Sequence, residues 1–104
     1  MNWQCYIGDV LKVEGVIQRF PQTNILVYPG CTLYPPTYLE GEICLQADNT
    51  IYGSFLKNVK TGRDCEIGFA KIFESEIGQE VKIEGADIRL SKIQDKTYIV
   101  RALL

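Results

Sequence analysis

The side chains of this chain offer little for acid–base or nucleophilic chemistry, because the sequence contains no histidine. Histidine is the most common general base and the usual partner of a serine or cysteine nucleophile. Carboxylates remain, and one acidic stretch contains Glu74, Glu76, Glu80 and Glu84. Paired carboxylates can serve as acid and base in sugar hydrolysis, but that reaction needs a deep cleft. We interpret the stretch as a solvated acidic face and expect no catalytic residues, hence no enzyme.

The four cysteines raise the question of metal chemistry. Cys5, Cys31, Cys44 and Cys65 are widely and unevenly spaced and form no Cys-x-x-Cys pair. Without histidine no mixed zinc site can form, although four dispersed cysteines could still meet as zinc ligands or as two disulfides with three possible pairings. The N-terminal residues lack the basic start and apolar stretch of a secretion signal. We therefore predict free, mostly buried thiols, no metal, no cofactor and a cytoplasmic location.

The segment Tyr28–Gly41 is the candidate binding region, because it contains three of the four prolines and three of the six tyrosines. Adjacent prolines cannot enter a central strand, so residues 33–38 are predicted to form an extended loop. Tyrosines on a stiff loop give a large contact area at low entropic cost. The leading hypothesis is a non-catalytic binding or adaptor module that contacts a protein partner, or a second copy of itself as a homodimer, through this loop. The predicted contact residues are Tyr28, Leu33, Tyr34, Pro35, Pro36 and Tyr38.

The same loop allows a structural interpretation. Leu33, Tyr34 and Tyr38 could fold back as a lid on an open end of the molecule, a role that is compatible with a contact surface.

A second functional hypothesis rests on basic residues in two predicted turns. The net charge of −2 argues against general binding of nucleic acid. A local positive groove would still form if the fold brought the two turns together, and base stacking on nearby aromatic rings is worth about 1–3 kcal/mol per base. The alternative function is therefore binding of single-stranded nucleic acid, although solvated turns are often rich in lysine. The residues predicted for it are Lys57, Lys60, Arg63, Arg89, Lys92 and Lys96, with Tyr52 and Tyr98.

The candidate residues are positioned by predicted strands. In these strands apolar and polar residues alternate with a period of two. Leu11 and Val13 share one strand face, with Lys12 on the other. Farther along, the alternation changes phase at Gly85, which is typical of a bulge or of a corner in a strand. Only residues 70–77 have helical spacing, and they could form a two-turn helix or continue the preceding strand, so we expect at most one short helix.

Two stretches, residues 7–20 and 77–90, share a similar pattern of apolar residues and glycines. Each continues into a polar turn and a second apolar run, so residues 7–28 and 77–101 are predicted to form two similar hairpins. Further turns are predicted at Ala47–Asn49 and Asn58–Asp64. Seven or eight short strands at this spacing are typical of a barrel or a sandwich, and we expect a small, mostly antiparallel barrel.

The stretches Ile67–Phe73 and Ile77–Gly85 resemble the third strand, helix and fourth strand of OB-fold modules. Bacterial single-stranded-DNA-binding proteins show a similar apolar run followed by Gly-x-x-Val-x-Ile-x-Gly. The resemblance covers roughly the last 40 residues and implies an OB-like barrel, but it transfers no functional residues.

The bulk composition fits one globular domain that spans residues 1–104. Hydrophobic residues make up 46% of the chain and charged residues 23%, as in ordinary folded proteins. No apolar run approaches the ~20 residues of a membrane span, so we expect no membrane association.

Overall fold

The computed structural model describes residues 5–101, which form short strands joined by turns, with no helix. The prediction of an all-β chain is therefore confirmed. In chain order the strands are β1 (Cys5–Ile7), β2 (Leu11–Lys12), β3 (Gln18–Arg19), β4 (Asn24–Val27), β5 (Thr32–Tyr34), β6 (Thr37–Glu40), β7 (Glu42–Leu45), β8 (Thr50–Tyr52), β9 (Phe55–Thr61), β10 (Glu66–Gly68), β11 (Lys71–Ile77), β12 (Lys82–Glu84), β13 (Asp87–Arg89), β14 (Lys92–Ile93) and β15 (Tyr98–Val100).

The chain winds into a β-solenoid-like stack of about five turns. From β4 onwards, each strand pairs in parallel with the strand one turn farther along the chain. The register shift settles at sixteen residues, so that Thr50, Glu66, Lys82 and Tyr98 lie side by side. Parallel pairing at a fixed offset is the signature of a coil, whereas a small barrel closes through antiparallel hairpins. The predicted OB-like barrel is therefore wrong, and the resemblance to OB-fold modules does not describe the fold.

Three sheet faces surround the core of the stack. Face 1 comprises β6, the first halves of β9 and β11, and β13. Face 2 comprises β4, β7, the second halves of β9 and β11, and β14. Face 3 comprises β5, β8, β10, β12 and β15. Each turn of the chain passes from face 2 to face 3 and then to face 1.

The corners between the faces are formed by residues with positive φ, a conformation that reverses the local twist and redirects the strand. Equivalent corner residues stack above one another from turn to turn. They are Gly30, Asp48, Asp64, Glu80 and Lys96 between faces 2 and 3; Gly53, Phe69, Gly85 and Arg101 between faces 3 and 1; and Gly41, Asn58, Glu74 and Leu90 between faces 1 and 2. Gly85, where the sequence predicted a bulge or a corner, is one of these corner residues.

Branched aliphatic side chains fill the interior in vertical columns. Alternate residues of each short strand point inwards, and the residues between them face solvent, which explains the period-two pattern. Each fully buried side chain of this type stabilises the fold by about 1.5–3 kcal/mol. On face 3 the column consists of Ile51, Ile67, Ile83 and Ile99, and on face 1 it consists of Leu39, Leu56, Ile72 and Ile88.

The first turn of the described chain runs in the opposite direction to the rest. Strand β1 pairs antiparallel with β6, β2 with β5, and β3 with β4. The chain therefore passes over faces 1, 3 and 2, reverses in the β3–β4 hairpin and then begins to coil. This reversed turn, residues 5–19, covers one edge of the stack on all three faces.

Residues 70–77, for which the sequence allowed either a short helix or a strand, contain strand β11, in which Ile72, Ser75 and Ile77 are buried. Other local predictions are wrong because the sequence pattern indicates the wrong element. Residues 77–101 form no hairpin, since β12 and β15 pair in parallel. The predicted turn Asn58–Asp64 begins inside β9, whereas the turn Ala47–Asn49 does separate β7 from β8. No helix in the described part of the chain could span a membrane.

Candidate functional site

An open cleft of about 520 Å³ lies at the corner between faces 3 and 1. Rings of proline, tyrosine and phenylalanine form its walls, small residues form its floor, and one lysine lies at its rim. We call it the aromatic cleft; its residues are Pro36, Tyr38, Gly53, Ser54, Phe55, Phe69, Ala70 and Lys71.

Phe69 is the most unusual residue of the aromatic cleft. It occupies a corner with φ of 50°, and the residue is 66% exposed. In the same corner column the turns before and after carry Gly53 and Gly85, which adopt positive φ without steric cost. A bulky residue in this conformation costs about 1–2 kcal/mol. The fold therefore holds an exposed aromatic ring at a position where glycine would relieve the backbone strain.

Two neighbours hold the Phe69 ring in place. A Cβ atom at position 53 would lie 2.8 Å from Cδ1 of Phe69, so only glycine leaves room for the ring. The Tyr52 ring meets the Phe69 ring edge-on, with centroids 5.3 Å apart. The Tyr52 ring in turn covers Gly68, where a Cβ atom would collide with it. Partial burial, together with the carboxylates of Glu66 and Glu84, raises the pKa of the Tyr52 hydroxyl.

The floor of the cleft is built from Ser54 and Ala70, which are both buried. Ser54 Oγ donates to the carbonyl of Tyr52 at 2.9 Å and accepts from the Ala70 amide at 3.3 Å. Because these two side chains are small, an open space remains above them between the surrounding rings.

Aromatic rings continue from the cleft across face 1. The centroids of Tyr6 and Tyr38 are 4.8 Å apart, those of Tyr38 and Phe55 6.3 Å, and those of Phe55 and Phe73 4.9 Å. Arg89 lies over the Phe73 ring at 5.0 Å. We call Tyr6, Tyr38, Phe55 and Phe73 the aromatic stripe; it crosses four successive strands of face 1.

The charges beside the stripe are mostly paired. Lys57 lies 3.5 Å from Glu40, and Arg89 lies 3.2 Å from Asp87. Lys71 is exposed and takes part in none of the ion pairs within residues 5–101. The rim of the aromatic cleft therefore presents one cation that forms no ion pair in the described part of the chain, because its register neighbour Asp87 is paired with Arg89.

The predicted Pro/Tyr loop is a corner flanked by strands β5 and β6. Pro36 and Tyr38 line the aromatic cleft, and Pro35 forms the corner beside them. Tyr34 is 41% exposed on face 3. Leu33 is fully buried in the core, which leaves it no surface to offer a partner. Tyr28 lies before a different corner, between faces 2 and 3. With no barrel end to close, the lid interpretation does not apply.

The residues predicted to bind nucleic acid lie on all sides of the stack. Lys57 and Arg89 are on face 1 and are ion-paired; Lys60 and Lys92 are on face 2, with Glu76 between them in register. Tyr52 and Tyr98 are on face 3, where Lys82 lies over the Tyr98 ring at 5.8 Å. Arg63 and Lys96 lie at the corner between faces 2 and 3. The structure does not bring these eight residues together in one groove.

All four cysteines are free, and Cys31 and Cys65 are buried. The Cys31 thiol donates to the Gln46 carbonyl at 2.9 Å, and the Cys65 thiol donates to the Gly78 carbonyl at 3.0 Å. Burial raises the pKa of both thiols. Within residues 5–101 no three potential metal ligands come together.

The sequence does not predict that Phe55, Phe69 and Lys71 line one cleft. Their grouping follows from the register, which places Lys71 beside Phe55 and Phe69 one turn after Gly53. The available signal was the sixteen-residue spacing of isoleucines 51, 67, 83 and 99, because a fixed period reveals which residues stack.

No protein-family profile and no solved structure matches the chain. It is 27% identical over 109 aligned residues to the bifunctional protein GlmU of Fervidobacterium nodosum. The alignment covers 89% of this chain and 24% of that protein, so the chain spans about a quarter of its length.

This likeness corrects one prediction. We expected the chain not to be an enzyme, and a match to part of a bifunctional enzyme contradicts that expectation. The absence of histidine removes one kind of catalytic group, but it does not by itself decide whether a chain has an enzymatic function. The likeness identifies no catalytic residue in this chain.

Proposed function

We propose that this solenoid is a binding module that contacts a protein partner through the aromatic cleft and the adjoining aromatic stripe. Pro36 and Tyr38, two residues of the predicted contact loop, belong to this surface. Exposed aromatic rings beside a polar rim are the composition of interface hot spots, in which a few rings contribute most of the binding energy.

The observation that carries the proposal is the exposed Phe69 ring at a strained corner. Non-glycine residues with positive φ occur at most corners of this fold, so the strain alone does not distinguish Phe69; its exposed aromatic ring, which lines the cleft, does. The ring of a residue that is 66% exposed gains its full apolar contact only when something covers it. The Phe69 ring therefore supports a contact role better than a packing role.

A protein partner is favoured over single-stranded nucleic acid by the distribution of charge. A polynucleotide needs a continuous positive track, whereas Lys57 and Arg89 beside the stripe are neutralised by Glu40 and Asp87. A second copy of this chain is an alternative partner that the experiment below separates. Four free cysteines fit a reducing compartment, so we also propose the cytoplasm as the location.

Selection of binding peptides tests the proposal. A random peptide library displayed on phage is panned on the immobilised chain and counter-selected on Phe69→Gly, a variant that removes the ring and relieves the corner. Leu90→Gly is the matched control, because Leu90 is also exposed at a positive-φ corner but belongs to the column between faces 1 and 2.

We expect peptides that bind the parent chain and Leu90→Gly but not Phe69→Gly. Enriched peptides that bind all three proteins equally would contradict the proposal, and so would a library from which nothing is enriched. A concentration-dependent dimer that Phe69→Gly abolishes, measured by light scattering, would assign the cleft to a second copy instead.

A further inference from the structure

We infer that the aromatic cleft takes an extended, proline-containing peptide segment whose carboxylate pairs with Lys71. This inference rests on the proposed function and names the chemistry of the partner at the same site.

Strand addition is excluded at the aromatic cleft, because its strands lie inside face 1 and not at an edge. Strand β9 is paired with β6 on one side and with β11 on the other, so its amides and carbonyls are engaged within the stack. A segment lying on the outer face therefore meets rings and not backbone groups. Proline suits such a surface, because it has no N–H group to leave unpaired.

The spacing of the rings fits an extended segment. Successive centroids along the aromatic stripe are 4.8, 6.3 and 4.9 Å apart. A polyproline II helix rises about 3.1 Å per residue, so about one and a half to two residues span one step between rings. Aromatic-lined grooves recognise such segments in other domains, and the stiffness of the segment lowers the entropic cost of binding.

The charge at the rim of the cleft determines whether acidic or basic segments are preferred. Lys71 lines the cleft, is exposed and forms no ion pair within residues 5–101. A carboxylate on the bound segment would face this ammonium group, whereas a basic residue there would be repelled. The cleft should therefore distinguish acidic from basic proline-rich segments.

Fluorescence anisotropy with labelled synthetic peptides tests the inference. The probe consists of Pro-Pro-Glu repeats, and the control peptides of equal length consist of Pro-Pro-Lys and Ser-Gly-Glu repeats. The protein variants are Lys71→Glu and, as a matched control, Lys92→Glu, which makes the same charge change on face 2.

We expect Pro-Pro-Glu to bind about tenfold more tightly than either control peptide. Lys71→Glu should weaken that binding about tenfold and improve binding of Pro-Pro-Lys, while Lys92→Glu should leave both affinities unchanged. Equal binding of the acidic and basic peptides to the parent chain would overturn the inference.

Failure of the inference is distinguishable from failure of the proposed function. If the selected phage peptides depend on Phe69 but contain neither proline nor acidic residues, the binding module stands and its partner chemistry is different. If a mixed-sequence single-stranded oligonucleotide binds the parent chain and not Phe69→Gly, while no peptide binds, both proposals are overturned.

Discussion

Two buried thiols make the stability of the fold depend on pH. Cys31 and Cys65 each occupy an inward position at the corner between faces 2 and 3, and burial raises the pKa of both. A group whose pKa is higher in the folded state stabilises that state at low pH, and this contribution is lost as pH rises through the folded pKa. The raised pKa of the Tyr52 hydroxyl acts in the same direction at higher pH.

The protein should therefore be destabilised by alkali. We expect the melting temperature to be level below about pH 8 and to fall progressively above about pH 9, starting from the ordinary pKa range of a thiol. Cys65→Ala should flatten this fall, when melting is followed by circular dichroism across the pH series. A variant that keeps the full alkaline loss would show that the thiol does not contribute to it.

At the scale of strands and corners, glycines allow adjacent turns to approach closely. A Cβ atom at position 62 would lie 2.7 Å from the Gln79 amide nitrogen of the next turn, a backbone atom that cannot move aside. The Gly62 amide donates to the Ile77 carbonyl at 2.8 Å. This contact joins successive turns at the corner between faces 2 and 3.

Gly62→Ala should lower the free energy of unfolding by about 1–3 kcal/mol, because the added methyl group forces two turns apart. Gly8→Ala is the control, since its Cβ atom would meet only the Tyr6 ring, at 3.1 Å. Urea unfolding measures both variants. Equal losses would mean that close approach at position 62 does not limit the stacking.

The same scale explains what sequence reasoning could and could not predict. Alternation in residues such as Val81 and Ile83 indicates a strand with one buried face, and this holds equally for a barrel and for a coil. The phase change at Gly85 predicts a bulge or a corner at that residue. It does not predict the equivalent corner at Phe69, one turn earlier. The alternation does not show whether neighbouring strands pair in parallel or antiparallel. Only the sixteen-residue period of Ile51, Ile67 and their equivalents indicates parallel pairing.

The aromatic cleft was even less accessible from the sequence. Its residues come from three successive turns, and they meet only after the register of the parallel strands is known. The loop context predicts Tyr38 as a contact residue, whereas the structure shows that Tyr38 lines the cleft because it lies beside Phe55 in the register.

For the whole molecule, the reversed turn at residues 5–19 has the clearest consequence. It pairs antiparallel with β4, β5 and β6 and so covers an edge of the stack on all three faces. An uncovered edge of parallel strands would expose unpaired backbone groups and invite association with other chains.

Removal of residues 1–20 should therefore produce oligomers or aggregates and lower the melting temperature. Light scattering after size-exclusion chromatography and a thermal scan measure these effects. A truncated chain that stayed monomeric with an unchanged melting temperature would show that the reversed turn is dispensable as a cap.

The central claim is that Phe69 serves binding at the expense of stability, and one paired measurement on Phe69→Gly tests it directly. Affinity for a peptide selected on the parent chain and the free energy of unfolding are measured on the same preparation. We predict a loss of affinity of at least about tenfold, as for an aromatic hot-spot residue. Stability should be unchanged or higher by up to about 1 kcal/mol, because glycine relieves the positive φ. Unchanged affinity together with a clear loss of stability would contradict the claim and make Phe69 a packing residue.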